Sequence, residues 1–323
     1  MSLSSGLVAA QVPRFTADVI GAPQFGRRVV VYCGSPIPKR KPGEKKRAPP
    51  QIWQPVLIVN EHDNGLRVTF KILKPWAQPL AISEIGIYNL SPDSRSRIEG
   101  RSRFPVRVMA GYGRSLRLVG VIHSAQCTPD LNPTTGDIIT KIEGFRGGPG
   151  ALEDITAEYG VATPMADVAL DLAGQVGTLG AGAIATVRAA GKGRIYQFGK
   201  SSTGPVLDIL SEVMTDLGVE WSIVDGAVNV SPKDKTTQEL FILSPESGLI
   251  GSPQPDSPPT PGKIYFLRAK SLLNATFAPG AKCIVQSAAY AGQYKCWDVS
   301  HEGDSWAGPF YSSLQLRPVP LGS

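Results

Sequence analysis

The chain has 323 residues, which is long enough for two or more domains with substantial buried cores. Its formal net charge of +6 is small for this length, so charge alone does not identify a polyanion-binding protein. The sequence has no run of about eighteen apolar residues, and its N-terminal residues lack a basic start followed by an apolar core. We therefore expect neither a membrane span nor a secretory signal.

The 35 glycines and 28 prolines favour many short strands joined by turns. The four cysteines, at positions 33, 127, 283 and 296, are scattered without a CxxC pair. This spacing argues against a zinc site or a disulfide framework and fits assembly in a reducing compartment. Cys283 and Cys296 could lie on neighbouring strands, and we interpret them as small buried hydrophobic side chains.

Residues 12–146 are predicted to form a β-rich block. The alternation is clear where Leu66, Val68, Phe70 and Ile72 share one face of a strand. Turn signals rich in Gly, Asn and Asp separate the candidate strands. These strands are residues 15–20, 27–32, 56–60, 66–73, 82–89, 105–110, 116–126 and 137–145.

One insertion, residues 35–50 (SPIPKRKPGEKKRAPP), interrupts this block with clustered cations between prolines. Like charges repel and proline blocks regular hydrogen bonding, so we predict an exposed loop. It is either a solvated mobile loop or a docking element for an acidic neighbouring subunit or a nucleic acid. No aromatic residue is interleaved for base stacking. The cations are Lys39, Arg40, Lys41, Lys45, Lys46 and Arg47.

An α+β segment is predicted from residue 147 onwards. Its first helix is expected to have Thr163 as N-cap and Pro164 at the first helical position. A second helix, residues 205–217, carries a regular apolar stripe and ends at Gly218. Asp225-Gly226 then predicts a tight hairpin. The sequence does not indicate how residues 177–193 fold.

The last part of the chain is predicted to be a compact β module, reached through a turn-rich and proline-rich connection at residues 244–262. In its final strand Phe310, Ser312, Leu314 and Leu316 share one face. The four candidate strands are residues 263–269, 282–287, 293–301 and 310–317.

The sequence lacks the residue patterns of an active site. Its three histidines are His62, His123 and His301, and His301 stands beside Glu302. Neighbouring strand residues point to opposite faces, so these two side chains are not expected to converge. Complete phosphate-binding glycine motifs are absent, and a carboxylate pair cannot be assigned. We therefore predict no catalytic residue, no metal site and no cofactor site.

Six stretches of the sequence, taken in order, resemble the bacteriophage tail baseplate hub proteins, a late-control-D-like family related to the tail tube. The N-terminal matches are residues 104–113 (FPVRVMAGYG), 118–124 (LVGVIHS) and 136–144 (GDIITKIEG). The C-terminal matches are residues 247–251 (SGLIG), 270–280 (KSLLNATFAPG) and 294–304 (YKCWDVSHEGD). The resemblance covers residues 90–318. Asn274-Ala275 departs from the Asn-Pro common in the family, and the insertion at residues 39–47 is peculiar to this chain.

The resemblance implies a mainly β, α+β fold with two tail-tube-like β-barrel domains around an intervening α+β segment. The corresponding boundaries are residues 1–146, 147–232 and 233–323. It further implies a homotrimer whose six barrels form a pseudo-sixfold ring between the hexameric tail tube and the trimeric central spike. The ring would enclose the channel for the tape measure protein and DNA, in a virion tail assembled with other baseplate proteins in the host cytoplasm.

The interface elements expected for such a subunit are the basic loop and two C-terminal segments. The residues in these segments are Gly248, Leu249, Ile250, Leu272, Leu273, Asn274, Pro279 and Gly280. The alternative for them is turn packing within one chain. Two other functions stay open: a nucleic-acid-binding or polysaccharide-binding β protein, suggested by the basic loop, and a peptidoglycan-cleaving tail enzyme.

Overall fold

The computed structural model describes residues 26–34, 55–62, 65–76, 81–101, 103–147, 149–233, 235–237, 239–257 and 265–319. Over these ranges the chain is an α+β fold dominated by strands, which confirms the predicted fold class. The candidate strand at residues 15–20 lies outside the described residues.

The N-terminal strands lie close to their predicted positions. They are β1 Arg27–Gly34, β2 Pro55–Val59, β3 Val68–Pro75, β4 Ile82–Tyr88, β5 Pro105–Tyr112, β6 Ser115–Leu131 and β7 Ile138–Phe145, with the short helix α1 Pro92–Ser96 after β4.

The middle of the chain mixes helices with short strands. Its elements are the 3-10 helix Pro149–Leu152, β8 Asp154–Tyr159, β9 Thr163–Pro164, α2 Met165–Val176, β10 Thr178–Leu179, α3 Ala183–Ala190, β11 Ile195–Tyr196, β12 Lys200–Pro205, α4 Val206–Leu217, β13 Val219–Val224 and β14 Ala227–Pro232.

The C-terminal part is built from strands. They are β15 Leu240–Leu243, β16 Leu249–Pro255, β17 Leu267–Leu272, β18 Lys282–Gln286, β19 Ala291–Asp304 and β20 Phe310–Pro318.

One large sheet runs through both β-rich parts of the chain. Among the described residues its order is β16-β17-β20-β19-β3-β4-β7-β6-β5-β1-β2, and β18 pairs with both β15 and β19. The two parts meet where β3 pairs antiparallel with β19, from Asp298 opposite Pro75 to Asp304 opposite Thr69. Residues far apart in the sequence therefore share one hydrogen-bonded ladder. The division into three domains stays a prediction.

Buried apolar side chains form three clusters within the described ranges. The first belongs to the N-terminal strands but includes Leu273 and Phe310 from the C-terminal part. The second lies entirely between Ala151 and Val230, where α3 and α4 pack on the β13–β14 hairpin and α2 packs on both helices. The third belongs to the C-terminal strands. The predicted alternation is confirmed on two strands. Val68, Phe70 and Ile72 are buried on β3. On β20 the four residues predicted to share one face are buried: Phe310, Ser312, Leu314 and Leu316.

The predicted start of α2 is wrong by one position. The helix begins at Met165, Pro164 occupies the N-cap position, and no side chain caps the helix. Thr163 instead pairs with Tyr196 in the β9–β11 ladder, and its hydroxyl donates to the Gly160 carbonyl at 2.7 Å. Because this pairing leaves Thr163 one residue before the N-cap position, its side chain does not cap the helix.

Two other predictions at element ends are confirmed by backbone geometry. Gly218 ends α4 in the left-handed region at φ 72°. Asp225 and Gly226 both have positive φ, at 51° and 85°, as a two-residue turn between β13 and β14 requires.

The connection predicted at residues 244–262 contains a strand, β16, and the prediction of an irregular segment is wrong there. This strand contains Pro253 and Pro255 and forms the end of the described sheet order. Proline lacks an N–H donor, so it is tolerated at a sheet edge although it obscures the strand pattern. Residues 177–193, for which the sequence indicates no structure, form β10 and α3.

The β3–β19 pairing generates a stability prediction at Gly303. A Cβ atom added there would lie 2.4 Å from the Phe70 ring, so the Gly303→Ala variant must shift a buried aromatic side chain. We expect a loss of about 1–3 kcal/mol in the free energy of unfolding, measured by urea titration. Gly65→Ala is the matched control, because no atom lies within 4 Å of its added Cβ. Equal losses for the two variants would contradict the close packing of β3 on β19.

Candidate interface and buried charged junction

The basic loop cannot be placed. Lys39, Arg40, Lys41, Lys45, Lys46 and Arg47 all lie outside the described residues. Its docking role therefore stays a prediction.

The segment Gly248–Ile250 lies against the end of β17, where Leu272 is located. The Gly248 carbonyl accepts hydrogen bonds from the Leu272 N–H at 2.8 Å and from the Ser271 hydroxyl at 3.0 Å. Gly248 has φ +102°, and an added Cβ would lie 3.2 Å from the Leu272 Cβ. Leu249 packs against the C-terminal cluster, whereas the Ile250 side chain is 42% exposed. In this group Ile250 offers the apolar surface.

Leu273 and Asn274 make contacts within the chain. Leu273 is buried in the N-terminal cluster, and its N–H donates to the Phe310 carbonyl at 3.3 Å. The Asn274 side-chain oxygen accepts from the Thr276 N–H at 3.0 Å and from the Thr276 hydroxyl at 2.7 Å. Asn274 thus shapes a local turn through its own side chain.

Pro279 and Gly280 are buried at a different place, beside Trp76. Gly280 has φ +84°, and an added Cβ would lie 2.4 Å from the Trp76 ring. Its N–H donates to the Cys296 carbonyl at 2.7 Å, and its carbonyl accepts from the Thr237 N–H at 2.8 Å. The structure thus brings residues 248–250 and 272 together but places 279–280 elsewhere. A subunit contact through these residues stays a prediction.

A buried charged junction lies where the α+β segment meets the two β-rich parts. Lys74 on β3 is 1% exposed, and its Nζ lies 3.1 Å from the Asp225 Oδ2 in the β13–β14 turn. Burial lowers the pKa of Lys74, while the neighbouring Asp225 carboxylate opposes this shift. A cation removed from water in this way needs its carboxylate partner.

Arg146 is the second buried cation of the junction and directly follows β7. Its guanidinium donates to the carbonyl of Ile223 on β13 and, at 2.9 Å, to the carbonyl of Pro75 at the end of β3. Burial lowers the pKa of Arg146 to about 10, and the Asp225 and Asp298 carboxylates act in the opposite direction. Arg146 therefore connects three elements through one side chain.

Lys295 on β19 is the third cation, and its partner is Glu220 on β13. The Lys295 ammonium donates to Glu220 Oε2 and to the Ser231 hydroxyl at 3.2 Å. Trp76 Nε1 donates to the same Glu220 oxygen at 3.2 Å, and the Lys295 ammonium lies 4.6 Å from the Trp76 ring centroid. Both carboxylates thus come from the hairpin, and the three cations come from the β-rich parts.

His301 and Glu302 point to opposite faces of β19, as predicted. The His301 ring is fully buried with Nδ1 2.9 Å from the Ser312 hydroxyl, and Glu302 accepts from the Tyr311 hydroxyl at 2.8 Å. Burial and the nearby Lys74 hold the pKa of His301 well below its usual value, so the ring is neutral at pH 7. The pair does not form an acid–base site.

The four cysteine side chains are part of the buried apolar clusters. All four cysteines are free and buried, as predicted for Cys283 and Cys296, which lie on the paired strands β18 and β19. In the ranges that the structure describes, no group of three His, Cys, Asp or Glu side chains is placed to hold a metal ion. In the same ranges, no helix has the length and apolar character to cross a bilayer.

An open groove of about 750 Å³ crosses the sheet face formed by β3, β16, β17, β19 and β20. Ile250 and Lys270 lie at it together with the small polar residues Ser300 and Ser313. The exposed candidate interface residue therefore borders a concave surface of mixed polarity.

Comparison with known proteins shows the fold of the chain. No protein-family model matches the sequence, and no curated protein matches it in sequence. The chain is structurally similar to the 43 kDa tail protein of prophage MuSo2 from Shewanella oneidensis, with 9% identity and a TM-score of 0.51, covering 90% of this chain and 98% of that one. A tail protein from Neisseria meningitidis MC58 gives 9% identity and a TM-score of 0.51, covering 91% of this chain and 97% of that one.

A third similar structure is a chain of the Francisella PdpA–VgrG complex, with 7% identity and a TM-score of 0.51. The match covers 94% of this chain but only 54% of that one. The chain therefore has the fold of these tail proteins and of about half of that larger chain.

The junction predicts strong coupling between Lys74 and Asp225. Asp225→Asn keeps a side chain that tolerates positive φ but leaves the Lys74 ammonium buried without its carboxylate. We expect it to lower the free energy of unfolding by about 3 kcal/mol, because Asp225 itself is only partly buried. Lys74→Met combined with Asp225→Asn is expected to recover most of this loss in urea titrations. Strictly additive effects of the two substitutions would show that the pair is not coupled.

His123 generates a pH prediction. Burial lowers its pKa to about 4, whereas the unfolded chain binds this proton near pH 6.5. The free energy of unfolding therefore falls as the pH drops, and this histidine alone accounts for about 2 kcal/mol between pH 7 and pH 5. In urea titrations at both pH values, His123→Gln is expected to lose about 2 kcal/mol less than the wild type. The exposed His62→Gln should behave as wild type, and an unchanged pH dependence for His123→Gln would contradict the buried neutral ring.

Proposed function

We propose that this chain is a structural subunit of a phage tail baseplate hub. The observation that carries the proposal is the coverage of 90% of this chain and 98% of the Shewanella tail protein in one structural match. Because the match covers nearly the full length of both chains, the similarity extends over the whole architecture and is not confined to one shared domain. The order of the sequence motifs along residues 104–304 supports the same conclusion independently.

The proposed subunit forms a homotrimer that joins the hexameric tail tube to the trimeric central spike. Each chain contributes two tube-like β domains, so three chains offer six similar surfaces to the tube and three to the spike. The β3–β19 ladder supports this arrangement because it fixes the two β-rich parts relative to each other. A ring that matches sixfold to threefold symmetry needs such a fixed relation within each chain.

The function is mechanical and interfacial. The trimer encloses the channel through which the tape measure protein and then DNA pass, and it lies in the virion tail after assembly in the host cytoplasm. This role needs no catalytic chemistry, and the polar groups of the junction are engaged in contacts between elements of the chain. Among the candidate interface residues that the structure describes, the exposed Ile250 beside the open groove is the best placed to meet a neighbouring protein.

Co-assembly with the tail tube protein and the spike protein of the same phage tests the proposal. The purified proteins are mixed, and the mass of each complex is measured by sedimentation equilibrium. We expect three copies of this chain per spike trimer, and binding of the resulting complex to tube protein. An unrelated phage's spike protein is the control. Failure to bind either partner, or a complex with six copies, would contradict the proposed hub.

A further inference from the structure

The α+β segment exposes apolar side chains on two adjacent tight turns. These turns, residues 160–162 and 197–199, are called the double-turn tip. The Phe198 side chain is 93% exposed and Val161 is 74% exposed, while the neighbouring Ile195 is 46% exposed. Single exposed hydrophobic residues are common, but large ones grouped on adjoining turns mark interaction surfaces.

The double-turn tip is held rigidly. Gly199 has φ +79°, and an added Cβ would lie 2.6 Å from the Tyr159 carbonyl, so the backbones of the two turns are in contact. The Ala162 N–H donates to the Tyr196 carbonyl at 2.9 Å. Ala162 itself has φ +60°, a conformation that costs a non-glycine residue of the order of 1 kcal/mol.

Two tyrosines anchor the tip to the helices beneath it. The Tyr159 hydroxyl donates to Asp171 of α2 at 2.9 Å, and the Tyr196 hydroxyl donates to Asp216 of α4 at 3.4 Å. Burial and the Asp216 carboxylate raise the pKa of Tyr196 to about 12, so this hydroxyl remains a donor. A side chain presented on such a supported turn loses little conformational entropy when it binds.

Charge is distributed unevenly around the tip. Residues 183–200 include four cations and no acidic residue, whereas α2 and α4 carry five carboxylates and no Lys or Arg. Lys200 pairs with Glu212 at 2.8 Å. The other cations, Arg188, Lys192 and Arg194, are exposed. The remaining carboxylates, Asp167, Asp171, Asp208 and Asp216, are also exposed.

We propose that the double-turn tip is a self-association surface that docks on the helix pair α2–α4 of a second copy of this chain. Phe198 and Val161 supply the apolar contact, and the exposed cations beside them meet the carboxylates of the helices. The second copy is favoured because this one segment carries both charge patterns, each complementary to the other. A contact between two different surfaces of identical chains gives a closed ring when its rotation is a whole fraction of a turn, so the inference rests on the proposed trimer and assigns one of its contacts.

Sedimentation velocity of the full chain over a range of concentrations tests this contact. The wild type is expected to self-associate more strongly at low than at high salt. Phe198→Ser, and separately the Lys192→Glu, Arg194→Glu double variant, are each expected to raise the dissociation constant at least tenfold. Leu131→Ser is the control, since Leu131 is 61% exposed on β6, outside the α+β segment. Circular dichroism checks that every variant is folded.

A charge swap makes the test specific. Adding Asp167→Lys and Asp208→Lys to the Lys192→Glu, Arg194→Glu chain places two lysines on the helix pair to meet the two new glutamates, and it is expected to restore part of the association. An unchanged dissociation constant for Phe198→Ser, or no recovery of association in the charge-swapped chain, would overturn this contact while leaving a trimeric hub intact. A wild-type chain that stays monomeric at all concentrations, or one that uses Phe198 to bind only tube protein or anionic vesicles, would also overturn it. Failure to bind tube and spike would instead overturn the proposed hub.

Discussion

The antiparallel pairing of β3 with β19 is the constraint on which the rest of the structure depends. It joins strands from the two ends of the chain into one ladder, so the N-terminal and C-terminal β-rich parts cannot move independently. Close packing reinforces the ladder where Gly303 lies against the Phe70 ring. Leu273 and Phe310 belong to the C-terminal part of the chain, but their side chains are buried in the N-terminal core. The two parts are therefore linked by both hydrogen bonds and apolar burial.

The α+β segment is fixed to this ladder by buried charge and only secondarily by apolar contact. Its own cluster is self-contained between Ala151 and Val230, so it needs another means of attachment. Asp225 and Glu220 on one hairpin meet Lys74 and Lys295 on the paired strands. Breaking such a pair leaves an uncompensated buried charge, which costs far more than the intact pair contributes. The junction therefore serves mainly to fix the orientation of the hairpin, and its net contribution to the free energy of unfolding is small.

The sequence predicts local features well because local physics determines them. Alternating Val68, Phe70 and Ile72 define β3, and Asp225-Gly226 defines the hairpin turn. It does not predict the β3–β19 pairing, which arises from the register of strands more than two hundred residues apart in the chain. Buried cations such as Lys74 are also missed, because lysine is ordinarily a surface residue and no spacing marks its partner. Within the candidate interface, the sequence does not distinguish the exposed Ile250 from the buried Gly280.

These features together suit the proposed role of the chain as a baseplate hub subunit. The β3–β19 pairing holds the two β-rich parts at a fixed mutual orientation, and the α+β segment presents the double-turn tip from a supported position. Electron cryomicroscopy of the assembled phage tail tests this account most directly. We predict three copies of the chain in one ring between the last hexameric layer of the tube and the spike, with both β-rich parts of each copy facing the tube. Six copies in the ring, or a location away from the end of the tube, would contradict it.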